Sequence, residues 1–315
     1  VTRFREQEVN IHRLSQAHTM FQHRKDPRGN LLTMAFLIEA LVFQGRDTAP
    51  LNNLLVEAHS LLTTLGLDAF PQERALLLMQ LGYASATRMD QTEKGLRLCQ
   101  QAEWLAAQLQ RADLSYLSTL YTCLVLIRCG DFCRAQPLVH TLQQSPYISS
   151  KTYLQVMLDL AWAKMSTITG NIERAVQCLD LARDKAAKSG LTSIIPLALQ
   201  ETICLHVARK EYLQGELACQ RLSSYARESD NTSLQGSSFF WRGILRYHQG
   251  QYAPAQADFE EAIHLFGSTS CLCQSNLLLG KIMKAINAIH LQDIESTQTI
   301  FEDCLHKCDQ TSSII

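Results

Sequence analysis

The sequence predicts an all-α fold: a right-handed α-α superhelix, a solenoid of about seven helix-pair repeats with a step near 40 residues. Three observations predict it. The runs Cys129-Gly130-Asp131-Phe132-Cys133-Arg134-Ala135, Thr169-Gly170-Asn171-Ile172-Glu173-Arg174-Ala175, Arg209-Lys210-Glu211-Tyr212-Leu213-Gln214-Gly215 and Gln249-Gly250-Gln251-Tyr252-Ala253-Pro254-Ala255 put their lead residues at 130, 170, 210 and 250, forty apart each time. Such a fixed period marks stacked supersecondary units. Only 14 Gly and 7 Pro in 315 residues is little turn punctuation, which suits long helices. A 46% hydrophobic content is enough for a large core, yet no stretch approaches the ~20 apolar residues of a membrane span.

The elements follow in order. A helix is predicted from Arg5 to Arg24, with Leu14, Ala17, His18 and Phe21 at helical spacing and a stop at Asp26-Pro27-Arg28-Gly29. It reads as the second helix of a repeat whose first helix lies upstream. With no Met at the start, the chain is expected to be a piece of a longer protein. Repeats are then expected over 31–70, 71–113, 114–150, 151–191, 192–231, 232–270 and 271–310, after the helix in 1–30, as a single domain over 1–315 with about fifteen helices. Weaker turns at Gly45, Met89 and Gln292 complete the seven. Each unit is an apolar helix, a tight turn and a helix that folds back. Seven residues before the turn stands a mostly small or aliphatic residue (Ile38, Gly82, Cys123, Ala163, Ile203, Gly243, Ala285), where paired helices approach closely. In the five downstream units an apolar plug comes two after it (Phe132, Ile172, Tyr212, Tyr252, Ile294) and a small residue five after it (Ala135, Ala175, Gly215, Ala255, Thr297). Nine after it most units carry a larger one (Leu54, Leu98, Val139, Leu179, Phe259, Phe301, with Cys219 the exception). Positions four apart share a helix face, so one helix presents a hole and a knob, and stacking supplies the core that no unit has alone. Further breaks fall at Phe70-Pro71-Gln72, Ser145-Pro146-Tyr147, Lys188-Ser189-Gly190 and Glu228-Ser229-Asp230-Asn231.

Composition narrows function. Lys+Arg 29 against Asp+Glu 30 leaves a net charge of −1, without the broad basic footprint of a duplex-binding surface. No direct nucleic-acid contact and no membrane partner are expected. Eleven cysteines, an odd count scattered through apolar stretches, suit reduced thiols used as small hydrophobes and a cytoplasmic location.

The run Gly250-Gln251-Tyr252 through Ala255, Phe259 and Ala262, preceded by Phe239 and Gly243, resembles the tetratricopeptide repeat signature, and Gly170 to Ala182 is the next best copy. A step of forty rather than the family's usual thirty-four implies longer helices. That longer form resembles the helical-repeat region of MalT-type regulators, the STAND class of signal-transduction ATPases. There such an array sits between a nucleotide switch and an output module such as a LuxR-type DNA-binding domain. His18 through Phe21, Asp26 through Leu32, and Ile38-Glu39-Ala40 also look like the entry to that array. The resemblance implies a sensor arm that binds an inducer or partner protein. Met89, Lys210 and Gln292 depart from the turn glycine, Thr48-Ala49-Pro50 interrupts the first unit, and Arg242 stands where the motif has an aliphatic residue.

In this architecture the first helix of each unit lines the concave wall. Its outward residues are the candidates for binding a peptide or small-molecule inducer: Phe36, Glu39 and Phe43; Gln80 and Tyr83; Tyr121, Leu124 and Arg128; Lys164; Gln200 and Glu201; Phe240, Trp241, Tyr247 and His248. Aromatic anchors with a few charges suit such recognition, although several of these side chains could instead pack between units. Cys271, Cys273, Cys304, His306 and Cys308 could form a zinc set by residue type, but Cys304 falls in the small slot shared with Ala182 and Ala262, so packed or surface thiols explain them better. Cys123, Cys129 and Cys133 read the same way. There is no Gly-x-Ser-x-Gly elbow, no His-Glu-x-x-His pair, and Leu279-Gly280-Lys281 lacks the upstream glycine of a phosphate loop. No enzymatic activity, catalytic residue, metal or cofactor is expected. Glu260-Glu261 reads as a solvated face, and Asn231-Thr232-Ser233 as an inter-repeat loop.

Overall fold

The structure, a computed structural model, describes residues 2–44, 49–66, 68–88, 91–191, 194–268 and 274–312, with the side chains of 2–9, 43, 44, 49, 88, 274, 275, 296 and 306–312 left aside. The described residues form helices and no strand: α1 (Thr2–His23), α2 (Pro27–Gln44), α3 (Ala49–Thr64), α4 (Pro71–Arg88), α5 (Thr92–Gln108), α6 (Ala112–Cys129), α7 (Phe132–Gln143), α8 (Pro146–Ser149), α9 (Thr152–Ile168), α10 (Ile172–Ser189), α11 (Ile195–Ala208), α12 (Tyr212–Glu228), α13 (Thr232–His248), α14 (Tyr252–Ser268), α15 (Gln274–His290) and α16 (Ile294–Ser312). Sixteen stand where about fifteen are expected; the addition is α8, one turn opened by Pro146 and capped by Ser145, whose hydroxyl accepts from Ile148 N.

Left-handed residues end the helices. Gly130, Gly170 and Gly250 lie at φ 79°, 78° and 76°, the region where a side chain is strained. Lys210 and Gln292 fill the same slot at φ 58° and 60°. The ladder therefore records a backbone conformation and not a residue type. After these turns the chain reaches back five residues: Asp131 N donates to Leu126 O, Glu211 N to His206 O, Gln251 N to Arg246 O, and Asp293 N to Ala288 O. This bonding satisfies carbonyls that a helix end leaves orphaned. Asp131 and Asn171 then cap the returning helices by accepting from Arg134 N and Arg174 N. A second ladder runs at the opposite helix ends, with Gln110, Gly190 and Asp230 at φ 51°, 68° and 48° and the same bonds five residues back from Arg111, Leu191 and Asn231. Only Gly190 among these signals its conformation by residue type. Asn231 is buried and caps α13 by accepting from Leu234 N, so of the Asn231-Thr232-Ser233 run expected as a loop, Thr232 and Ser233 instead open that helix. The turn positions Gly45 and Met89 lie outside the described residues.

The helices group into two compact units, Val1–Glu201 and Thr202–Ile315, the boundary falling inside α11. In the first unit α4 packs on α5 and α9 on α10 as hairpins, while α2, α4, α6 and α9 succeed one another as a row of first helices. The hairpins are antiparallel: a Cβ on Gly82 would lie 2.7 Å from Gly95 O, and Cys99 reaches back to Met79. The core runs from Leu31 and Met34 through Leu77 and Met79 to Tyr121 and Val125. In the second unit α13 pairs with α14, where a Cβ on Gly243 would meet Phe259 at 2.7 Å, and Phe240, Phe259, Ala262 and Phe266 form the core.

The small slots Ala135, Ala175 and Ala255 are fully buried, as are Val139 and Phe259 in the large slot. Two expectations shift. In α5 the buried slots are filled by Gly95 and Cys99, followed by buried Ala102 and Ala106, with Leu98 on the flank, because close approach to Gly82 selects the thinner pair. Ile294, expected as a plug, is 76% exposed, since no described helix covers that side of α16. Cys123 and Cys304 are buried as expected of small hydrophobes, and burial pushes the Cys123 thiol up to about 12.

Candidate functional site

Because α2, α4 and α6 lie side by side, residues in the same register come together. Glu39, Gln80 and Tyr121 follow one another at steps of 41. The Tyr121 hydroxyl donates to Glu39 Oε1 at 2.8 Å, and the Tyr153 hydroxyl, brought in by α9, donates to the same oxygen at 3.2 Å. Gln80 Nε2 donates to Tyr121 Oη at 2.7 Å, while Gln80 Oε1 is buried without a hydrogen-bond partner among the described residues. The Tyr83 ring stands edge-on to Tyr121 at 5.6 Å. Four helices from four repeats thus converge on one carboxylate.

Burial pushes the Glu39 carboxyl above the usual carboxylate range, opposed by hydrogen bonds from Tyr121, Tyr153 and Gln80. The two phenols are driven well above their ordinary value, again first by burial. Among the described residues no cation pairs with Glu39, in contrast to Glu201, which lies 3.5 Å from Lys164, and Asp159, held by Lys185 at 2.7 Å. One turn before Glu39 on the same face, Phe36 is 44% exposed, and Leu32 is exposed a turn earlier.

The predicted wall residues divide accordingly. Phe36 is exposed as expected, and Tyr83 and Leu124 are partly buried. Tyr121, expected to face outward, is 2% exposed and Gln80 6%, because the phenol and amide close the network from within. Arg128 is exposed at the end of α6, and Gln200 and Glu201 are partly buried on α11. The side chain of Phe43 lies outside the described residues. In the second unit Phe240, also expected to face outward, is buried against Phe259 and Trp241, the aromatic packing that the bulky α14 slot demands. Trp241 is partly buried on this core. Tyr247 donates to or accepts from His290 Nε2 at 3.0 Å, with the exposed His248 edge-on to its ring at 5.5 Å.

Sequence reasoning missed Tyr153, which breaks the 41-residue step and therefore has no positional signal. It also missed the reason for Arg242. Arg242 forks onto Asp258, with Nη2 at 2.5 Å from Oδ1, and Arg246 Nη1 joins at 2.7 Å from Oδ2. Asp258, 3% exposed, replaces an apolar partner and takes the guanidinium pair in exchange. Arg242 and Arg246, with Arg227, Glu216 and Ser238, line a groove of about 580 Å³ between α12 and α13. Two of its three cations are committed to Asp258, which limits what charge the groove offers a ligand.

Cys271 and Cys273 of the imagined zinc set, and the side chains of His306 and Cys308, lie outside the described residues. Among the described residues no three His, Cys, Asp or Glu side chains are grouped as metal ligands. Cys129, exposed, donates from Sγ to Val125 O at 3.0 Å, and Cys133 is exposed. No described helix is long and apolar enough to cross a membrane.

No family model matches the chain, and no curated protein matches it. Among solved structures, the chain is similar to the crystal structure of BtubC (BKLC) from P. vanneervenii, with 12% identity over 73% of this chain and 92% of that one and a TM-score of 0.50. That likeness, with the sixteen helices and their sequential packing, defines the class as an all-α helical-repeat fold.

Proposed function

We propose that the chain is a binding arm, resembling tetratricopeptide superhelices, that takes a peptide or small-molecule ligand on the first-helix wall of its first unit, and that it serves a larger signal-transduction regulator of the MalT-like type. The convergence of Glu39, Gln80, Tyr121 and Tyr153 beside exposed Phe36 carries this reading. A purely structural core has little reason to bring a carboxylate from α2 among three repeats when an aliphatic residue would pack at lower cost. Ligand contacts there would favour one arrangement of the helix row and pass that bias along the array. The arm binds and does not catalyse.

A constitutive scaffold is the second reading, favoured by exposed Val56, Trp104 and Leu181 on the second helices. The test is thermal-shift screening of the chain against amines, metabolites, nucleotides, sugars and short peptides. A ligand specific to the folded wall raises the melting temperature by mass action. Phe36→Ala, at an exposed site, leaves the unliganded melting temperature nearly unchanged and abolishes the ligand's shift. Ligand shifts indifferent to Phe36→Ala would count against the wall as the site.

A further inference from the structure

Resting on that reading of the wall, the geometry points to its ligand chemistry: we infer that Glu39 receives an organic cation, an alkylammonium or guanidinium group, seated among Tyr83, Tyr121 and Tyr153 and entered past Phe36. The argument starts from donors and acceptors. When Glu39 is ionised, both neighbouring phenol hydrogens are directed to it, at 2.8 and 3.2 Å, and the Gln80 amide serves both Tyr121 Oη and Glu39. An anion arriving here meets no uncommitted donor among these groups. A cation meets acceptors. Both phenols share Oε1, so Oε2 accepts from neither of them, and Gln80 Oε1 stands nearby, buried and without a hydrogen-bond partner among the described residues.

Charge gives the second step. A carboxylate withdrawn from water is ordinarily held by a cation or by several amide N–H groups. Asp258 follows that rule with two arginines and Asp159 with Lys185, but Glu39 has two phenols and the Gln80 amide, all neutral, and no cation among the described residues. The missing positive charge is what a ligand would bring. Phe36, 44% exposed on the Glu39 face of α2, is placed to cover the guest's apolar stem. The chemistry is common to a free polyamine and to a Lys or Arg side chain of a partner peptide.

The test titrates the full 315-residue chain by calorimetry with spermidine, with a blocked hexapeptide carrying one lysine in an apolar sequence, and with its glutamate counterpart. Expected is saturable binding of a cationic probe, weakened at least tenfold by Glu39→Gln and by Phe36→Ala, and no binding of the glutamate peptide. Gln retains an oxygen for both phenols, so this variant keeps the fold, checked by its melting curve. Tighter binding of the lysine peptide identifies a partner side chain as the source, and tighter binding of spermidine a free polyamine. In the wild type, cation affinity falls as the pH is lowered into the raised Glu39 titration range, a second readout that needs no variant. Cation binding unchanged in Glu39→Gln overturns the inference. A glutamate peptide that binds and is lost in Phe36→Ala also overturns it, yet leaves the wall as a binding site. No Phe36-dependent binding of any probe removes both the inference and the wall.

Discussion

Lys210 shows how a single backbone angle outranks residue identity. It occupies the position that Gly130, Gly170 and Gly250 fill elsewhere, at φ 58°. A side chain in that region costs about 1–2 kcal/mol, offset by roughly 0.5–1 kcal/mol for the extra freedom a glycine has when unfolded. Lys210→Gly is therefore expected to stabilise the chain by about 0.5–1 kcal/mol, read as a higher urea midpoint with unchanged slope. The turn was legible from its spacing despite the lysine, and the break at Glu228-Ser229-Asp230-Asn231 was legible too, but neither Gln110 nor Asp230 announces a positive φ by residue type. Glu39 carries the second prediction at this scale. Its native pKa is raised by burial, so between the ordinary carboxylate value and the raised one the native state holds a proton that the unfolded state has lost. Stability then falls as pH rises through that window, and the penalty persists above it. Glu103 and Asp159 are raised in the same direction, so the informative quantity is the difference between wild type and Glu39→Gln. The variant is expected to be the more stable near neutral pH, with the two curves converging in acid. A less stable Glu39→Gln at neutral pH would mean that the ionised carboxylate holds the fold together.

At the scale of elements, α13 and α14 explain a departure that spacing alone left open. Arg242 stands where an aliphatic residue is usual, and Asp258 answers it from the facing helix. Arg242 is 41% exposed while Asp258 is 3%, so the carboxylate is the group that suffers when the pair is broken. Arg246 remains to compensate in part. Arg242→Leu is expected to cost about 2 kcal/mol, below the 3–5 kcal/mol of a fully buried pair, and adding Asp258→Leu to regain most of that loss. A double variant as unstable as the sum of both single variants would show that the pair is not the stabilising unit. The hairpin geometry itself was readable from sequence at Gly243 and Gly82. The register of α5 was not, because its paired small residues Gly95 and Cys99 lie one place along from the slots counted from the turn.

For the whole molecule, the forty-residue ladder made the all-helical repeat architecture legible, since each αL turn and each small slot repeats a local physical demand. The wall was legible only in part. Register predicted which first-helix residues share a face, and Glu39, Gln80 and Tyr121 do meet, but register could not foresee that they bond to one another and withdraw Tyr121 and Gln80 from solvent. Tyr153 entered from outside the period. The division into two units, each with its own core, was not visible in an unbroken series of repeats. The central claim, that the first-helix wall of the first unit is where the ligand binds, is tested most directly by hydrogen exchange of the chain with and without a saturating thermal-shift ligand. The account predicts added protection in α2, α4, α6 and α9, around Glu39, Gln80, Tyr121 and Tyr153. Protection confined to α12 through α16 would contradict it.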